Sequence, residues 1–440
     1  MKELVRSPAG PVAGRREGRV RRFLGIPYAE APVGVRRFAA PVRRARFREP
    51  YDASRPGATA QRVPLSATTM IPEPSVPGED VLNLSVTAPV DGAGCPVLVW
   101  VHGGGFLAGS PASPWYDGRS FARDGIVTVA VGYRLGVDGF APLDGVPANL
   151  GLRDVLLALD WVRENIAAFG GDPGRVTLAG QSAGGAAVLA LLSSPAAEGR
   201  FQRAVSMSGG FFEVDRGAAR GLLERLGERL AVPPTREGFS RVGVEQLQGR
   251  VRDVRGEGVL VLGPVTGDEI LPVAVPEGLA GHGLQVPLLL GATGDEFDGD
   301  TAPESARAAG TRTTDVLFRA ACPRAARARR RAEAGTWLYS FEWPCPATGG
   351  ATHCVDLPFF FDVLDAPGVP EALGPCPPSE LATPMHADLA GFVHGREPAW
   401  ARAGGGPGDP AREYGRPGAG PVADTTGVYD PVVRAGAAAC

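Results

Sequence analysis

A short motif between two strongly patterned stretches places the tightest constraint on the fold of this chain. The motif is Gly180-Gln181-Ser182-Ala183-Gly184, which has the form G-x-S-x-G. It follows an apolar, β-branched stretch, RVTLAG (175–180), and precedes a helix-like run, AAVLALLSS (186–194). A serine in this context predicts a sharp strand–turn–helix junction that presents its hydroxyl as a nucleophile. Ser182 is therefore the candidate nucleophile.

Strand-like and helix-like stretches alternate along the chain. Apolar residues recur with helical spacing over 151–168, which predicts a helix with one buried stripe. Apolar runs typical of buried strands lie at 96–101, 125–133, 175–180, 203–209, 286–292 and 336–343. This alternation predicts the α/β class, with a central, mostly parallel twisted sheet flanked by helices.

Length and composition favour one large domain over residues 1–440. A chain of 440 residues that are 44% hydrophobic can bury an extensive core. Helical excursions are expected near 210–260 and 297–335, where the pattern is more polar. The stretch 404–427 is dominated by glycine, proline and alanine, and it is predicted to be irregular.

Charge and cysteine usage exclude several classes of protein. The formal net charge is −3, and acidic residues offset the arginines, so a nucleic-acid partner is not expected. No segment approaches the roughly 18 uninterrupted apolar residues of a membrane span. Six scattered cysteines and no apolar N-terminal signal predict reduced thiols and a cytoplasmic location. Neither a metal nor an organic cofactor is implied, and oligomeric state cannot be deduced.

A glycine loop supplies the second element of the expected site. His102-Gly103-Gly104-Gly105-Phe106 directly follows the strand-like run 96–101. Consecutive glycines allow backbone N–H groups to converge on a substrate oxygen, as in the oxyanion holes of serine hydrolases. The N–H groups of Gly104, Gly105 and Ala183 are the predicted donors.

The general base comes from a small set of histidines. The chain contains five, which are His102, His282, His353, His386 and His394. The order nucleophile, acid, base requires a histidine far downstream of Ser182. His353 fits best, because it lies in a loop just after the strand-like run 336–343. His386 is the reserve candidate, on a predicted C-terminal helix.

The acid is expected at the end of a strand between nucleophile and base. The stretch PLLLGATGDEFDGD offers Asp295 and Glu296 at such a position. The nearby Asp298 and Asp300 also allow the interpretation of an acidic surface loop. Spacing alone leaves the choice between Asp295 and Glu296 open.

Eight segments in order along the chain carry a family resemblance, and they are 23–29, 37–41, 78–84, 102–106, 132–136, 149–154, 180–184 and 353–359. With them the chain resembles the type-B carboxylesterases, a family that includes the cholinesterases and bacterial para-nitrobenzyl esterases. The resemblance implies an α/β-hydrolase fold, with Glu296 as the acid. It also implies two buried structural ion pairs, Arg37 with Glu79 and Arg134 with Asp154.

Some positions depart from the pattern of this family. Gln181 replaces the usual glutamate before the nucleophile, and Phe297 replaces the glycine after the acid. Val81 stands where secreted relatives have a paired cysteine, in agreement with a reduced compartment. The chain is also shorter than most relatives, so a reduced helical cap is expected.

These features predict a bacterial-type serine hydrolase that cleaves small-molecule carboxylic esters through an acyl-serine intermediate. The catalytic residues would be Ser182, Glu296 and His353. One alternative is an acyltransferase or lactone-forming enzyme with the same triad, because an acyl-serine also reacts with a bound alcohol or amine. Another is a catalytically silent binding protein of this fold.

Overall fold

The computed structural model describes residues 1–64, 70–254, 260–297, 310–311 and 313–437. In these residues the strands are β1 (Lys2–Ser7), β2 (Gly10–Glu17), β3 (Val20–Pro27), β4 (Tyr51–Asp52), β5 (Asn83–Pro89), β6 (Cys95–Val101), β7 (Val127–Val131), β8 (Gly171–Gln181), β9 (Arg203–Met207), β10 (Leu288–Thr293), β11 (Thr336–Phe341), β12 (Pro410–Tyr414) and β13 (Val422–Thr426). The α-helices are α1 (Arg119–Arg123), α2 (Gly136–Phe140), α3 (Leu150–Asn165), α4 (Ala183–Leu192), α5 (Arg216–Leu230), α6 (Arg236–Ser240), α7 (Val244–Val254), α8 (Val275–Leu279), α9 (Ala321–Ala328), α10 (Leu357–Phe360), α11 (Val369–Leu373), α12 (Ser379–His394) and α13 (Asp430–Ala437). A π-helix covers Thr314–Arg319.

All of these strands belong to one sheet. Its order is β1-β2-β3-β5-β7-β6-β8-β9-β10-β11-β12-β13, with β4 paired to β2. Neighbouring strands from β7 to β12 in this order run parallel, whereas β1, β2, β3 and β5 form antiparallel pairs at one end. The predicted α/β class, with a mostly parallel sheet flanked by helices, is confirmed.

The burial of the central strands explains their composition. In β6 and β8 the residues that precede the glycine loop and the serine motif are buried on both faces of the sheet. Such strands need continuous apolar runs rather than alternation. The helix predicted over 151–168 is α3, and its apolar stripe is buried, comprising Leu152, Val155, Leu156, Leu159, Val162 and, just after the helix, Ile166.

The prediction of irregular chain over 404–427 is wrong. This stretch contains β12, which pairs in parallel with β11, and β13, which pairs antiparallel with β12. Each strand has only five residues and glycine or proline nearby, so the local pattern is weak. The edge of β11, distant in sequence, supplies the hydrogen-bonding partner, and Ala411 and Tyr414 are buried there.

One of the two expected ion pairs is present. Arg134 binds Asp154 through two side-chain contacts of 2.6 and 2.8 Å, and both side chains are buried. Arg37 instead binds Asp138 at 2.6 Å, so the pairing of Arg37 with Glu79 is wrong. Glu79 lies on an exposed stretch, whereas Asp138 lies on α2 within reach of the Arg37 guanidinium.

The Arg134–Asp154 pair leads to a stability prediction. Asp154→Ala should lower the free energy of unfolding by about 3–5 kcal/mol, because it leaves the guanidinium charge buried without its partner. The matched control is Asp253→Ala, which removes an exposed pair with Arg250 and should cost less than about 1 kcal/mol. Urea denaturation of both variants measures the difference. Equal losses of unfolding free energy in the two variants would contradict the larger contribution predicted for the buried pair.

The described parts of the two predicted excursions are largely helical. Residues 210–260 contain α5, α6 and α7, and residues 297–335 contain the π-helix and α9. Their function as a reduced cap stays a prediction. None of the described helices combines the length and apolar character needed to cross a membrane.

Candidate active site

Ser182 occupies a strained turn between β8 and α4. Its backbone angles are φ 55° and ψ −124°, a left-handed φ that is uncommon for a residue with a side chain. The two motif glycines make this turn possible. A Cβ on Gly180 would approach the backbone of Gly184 at 2.5 Å, and a Cβ on Gly184 would approach the Val101 carbonyl oxygen at 2.0 Å. The motif thus folds as predicted.

The glycine loop lies against this turn. A Cβ on Gly103 would lie 3.0 Å from the Ser182 Cβ, so the two segments are in direct contact. Gly104 has a φ of 111°, and a Cβ there would meet the Ala108 carbonyl oxygen at 2.2 Å. Only glycine fits at position 104, because the backbone at Ala108 is so close.

Three backbone N–H groups are available beside the serine. Those of Gly104, Gly105 and Ala183 make no hydrogen bond to any residue that the structure describes. The Ala183 N–H also begins α4, where the helix dipole favours negative charge. Free N–H groups at such a position are suited to binding an anionic oxygen.

His353 is held by Glu296 through two contacts. Its Nδ1 hydrogen-bonds to Glu296 Oε2, and its backbone N–H donates to the Glu296 carbonyl oxygen at 2.8 Å. Glu296 is buried, and its second carboxylate oxygen accepts the Thr293 N–H at 2.9 Å. The carboxylate therefore fixes both the orientation of the imidazole and its tautomer, with the proton on Nδ1.

Asp295 has a different environment from Glu296. Its Oδ2 accepts the Ala351 N–H at 2.7 Å, and its own N–H donates to the Ala351 carbonyl oxygen at 3.0 Å. These bonds join the turn after β10 to the loop that carries His353. Asp298 and Asp300 lie outside the described residues.

Gln181 contacts the other side of the imidazole. Its Nε2 lies 3.1 Å from His353 Nε2 and 3.1 Å from Cys354 Sγ. An amide that donates to Nε2 requires this nitrogen to be unprotonated, which agrees with the tautomer set by Glu296. Among the described residues, Gln181 rather than the Ser182 hydroxyl is the hydrogen-bond partner of Nε2.

Burial and charge act in opposite directions on these groups. Burial lowers the pKa of His353, but Cys354 and Glu296 raise it, and the net pKa lies well above the usual 6.5. Burial also raises the pKa of the Cys354 thiol. Burial, with a further contribution from Glu296, raises the pKa of Asp356 to about 7.

Two phenylalanine rings enclose the imidazole. Phe297 stacks on His353 with ring centroids 5.1 Å apart and planes 26° apart. Phe318, on the π-helix, contacts His353 at 5.0 Å with the planes at 59°. The two phenylalanines also contact each other at 5.5 Å.

The other histidines have different partners. His102 Nδ1 lies 2.8 Å from the Gly103 carbonyl oxygen, and burial lowers the pKa of His102 to about 4. The reserve candidate His386 binds Asp124 and the Phe360 carbonyl oxygen, each at 2.8 Å. Of the described histidines, only His353 contacts a carboxylate next to the serine turn. No metal-binding group of three or more suitable side chains occurs in the described part of the chain.

Comparison with known proteins places this chain in a family. A model of the carboxylesterase family matches residues 2–302. The chain belongs to the carboxylesterase family. The para-nitrobenzyl esterase of Bacillus subtilis (strain 168) is 33% identical over 410 residues, which cover 82% of this chain and 83% of that enzyme. A probable N-octanoylanthranilate hydrolase of Rhodococcus erythropolis is 35% identical, covering 91% of this chain and 95% of that protein.

Solved structures agree with the family membership. A para-nitrobenzyl (PNB) esterase structure has a TM-score of 0.87 and 28% identity, with 99% of both chains covered. This carboxylesterase has the α/β-hydrolase fold, and it hydrolyses carboxylic esters as a serine hydrolase. The predictions of family, fold and activity are confirmed.

Three contacts of His353 were not predicted from the sequence. The sequence marks Gln181 and Phe297 as departures from the family pattern but does not indicate their contacts with His353, and it gives no sign of Phe318. The position of Gln181 beside Ser182 was a usable signal, because a side chain adjacent to the nucleophile lies near the base. For Phe318 the sequence holds no such signal, since this residue is far along the chain from both Phe297 and His353.

Proposed function

We propose that Ser182 is the nucleophile of this esterase, with His353 as general base and Glu296 as the acid that orients it. The observation that carries this proposal is the imidazole of His353, which is bound by buried Glu296 at Nδ1 and contacts the residue before Ser182 at Nε2. In the neutral imidazole the proton is therefore on Nδ1, so Nε2 is the basic nitrogen, and it faces the serine turn, as general-base catalysis requires.

The proposed reaction proceeds in two halves. The Ser182 oxygen attacks the ester carbonyl carbon while its proton passes to His353 Nε2. The negative oxygen binds the N–H groups of Gly104, Gly105 and Ala183. Collapse of this intermediate releases the alcohol, which takes the proton from Nε2. Water then attacks the acyl-serine in the same way, and the carboxylic acid leaves.

Gln181 has a defined consequence for the first step. Its amide contacts Nε2, so the Ser182 hydroxyl has to displace or share this contact when substrate binds. Such hydrogen bonds often tighten only in the substrate complex. Gln181 is uncharged, whereas the family usually has a glutamate at this position. Glu296 is therefore the anionic group that is bonded to the imidazole.

The names of the relatives suggest substrates for this chain. Para-nitrobenzyl esters and N-octanoylanthranilate, the substrates in those names, each join an acyl group to an aromatic portion. We infer that small aryl or benzyl esters are substrates here, with water as the acceptor. A bacterial source and a cytoplasmic location are also proposed. The cysteines that the structure describes are free thiols, which supports the location; Cys440 lies outside these residues.

Labelling with a fluorophosphonate tests the nucleophile directly. The serine oxygen should displace fluoride from phosphorus, and peptide mass spectrometry should locate a single adduct on Ser182. His353→Ala should slow labelling by about 100-fold or more, because the hydroxyl loses its base. A matched control is His394→Ala, since the His394 ring lies at the end of α12 and hydrogen-bonds to the Asp124 carbonyl oxygen. An adduct at another residue, or equal labelling rates for both variants, would refute the assignment.

A further inference from the structure

Phe297 is an exposed aromatic residue in contact with the proposed base. It follows Glu296 directly, and 43% of its surface is exposed. Its backbone N–H donates to Thr314 Oγ1 at 3.1 Å, which fixes the residue against the π-helix. One side of the ring stacks on His353, while the exposed part remains accessible to a ligand.

The distribution of exposed apolar residues draws attention to this position. Large exposed hydrophobic residues among those described are few, and most belong to the N-terminal 42 residues. The remaining two are Phe297 and Val316, which is 61% exposed and belongs to the π-helix that carries Phe318. Single exposed apolar residues are common, but an exposed ring in contact with His353 lies where it can bind an apolar part of the substrate.

The packing of His353 does not require an aromatic side chain at position 297. Phe318 already contacts the imidazole, and it is only 2% exposed. The related pattern has glycine after the acid, so an aromatic ring is not needed to hold the histidine. The side chain of His353 is itself 16% exposed, so the stacked pair of rings is open to solvent in part.

The chemistry of the leaving group connects these observations. In the proposed reaction, His353 Nε2 donates a proton to the departing alcohol oxygen, so the alcohol portion of the ester lies beside the imidazole. A ring already stacked on this imidazole is therefore next to the alcohol portion. Aromatic groups gain from offset or edge contacts with such a ring beyond the burial of apolar area.

We propose that Phe297 forms a binding platform for the alcohol portion of the ester and makes the enzyme selective for aromatic alcohols. This inference rests on the proposed function of His353. Phe297 would act as a specificity-determining residue.

The test compares two acetate esters of similar size and leaving ability, benzyl acetate and cyclohexylmethyl acetate. Wild-type enzyme should favour the benzyl ester in kcat/KM by about two- to tenfold, the range expected of one aromatic pair. Phe297→Leu keeps an apolar side chain but lacks the ring, so the ratio should fall toward one. Phe297→Tyr should retain the preference.

Phe318→Leu is the matched control, because Phe318 also contacts His353 but is buried. This variant should lower kcat/KM for both esters equally and leave their ratio unchanged. A wild-type ratio near one, or an unchanged ratio in Phe297→Leu, would overturn the proposal. An equal loss on both esters in Phe297→Leu would overturn it in the same way, because the ring would then act only through His353.

A binding measurement separates this inference from the proposed function. Benzyl alcohol should inhibit wild-type enzyme at lower concentration than cyclohexylmethanol, and Phe297→Leu should remove the difference. This comparison does not depend on which residue is the nucleophile. If Ser182→Ala kept its activity, the proposed mechanism would fail while the selectivity result still stood. Equal inhibition by the two alcohols would refute the platform alone.

Discussion

Ser182→Ala is expected to abolish nearly all ester hydrolysis while leaving the fold intact. Loss of a triad nucleophile typically reduces kcat by a factor on the order of 10⁶, because only oxyanion and binding contributions remain. The alanine can adopt the same turn with no new clash, since it is smaller than serine. Steady-state rates with a para-nitrophenyl ester, together with thermal unfolding, measure both effects.

Ser193→Ala provides the control for this variant. Ser193 is also buried and lies at the opposite end of α4, where its hydroxyl donates to the Ala190 carbonyl oxygen at 2.8 Å. This variant removes one local hydrogen bond, so it should cost stability of about 1 kcal/mol and leave turnover near the wild-type rate. If Ser182→Ala kept more than about one hundredth of the activity, the mechanism would need another nucleophile.

The sequence predicted the parallel sheet because its central strands are buried on both faces. Continuous apolar runs, as in β6 and β8, are readable without knowledge of neighbours. The strands β12 and β13 were missed for the opposite reason. These residues form strands because β12 pairs with β11, which is distant in sequence, and β13 pairs with β12. Their own residues show little of the apolar pattern of a strand. Local propensity does not contain that information.

The candidate site was likewise predictable only in part. The glycines around Ser182 and in the glycine loop report backbone geometry, which single residues encode directly. The contact of His353 with Phe318 depends on how separate segments pack, so spacing could not reveal it. Arg37 illustrates the limit of resemblance, because its carboxylate partner is Asp138 on α2 rather than the expected Glu79.

Glu296→Gln is expected to lower kcat by about 10³- to 10⁴-fold through the wrong imidazole tautomer. Glu296 Oε1 accepts the Thr293 N–H, so the glutamine carbonyl oxygen should keep this bond. Its amide nitrogen would then face His353 Nδ1 and donate to it. The proton would move to Nε2, and the ring could no longer accept the Ser182 proton. Steady-state kinetics with a para-nitrophenyl ester measure the loss.

Asp295→Asn is the matched control, and the pH profile separates the two carboxylates. The amide side chain of this variant can still accept the Ala351 N–H through its carbonyl oxygen, so its activity should stay close to wild type. The negative charge of Glu296 stabilises the imidazolium and raises the pKa of His353. Removing that charge lowers the pKa of His353, so the imidazole stays neutral to lower pH. In Glu296→Gln the acid limb of the pH profile of kcat/KM should therefore move to lower pH. Asp295→Asn should leave this limb in place. A larger loss, or the larger shift, in Asp295→Asn would transfer the acid function to Asp295.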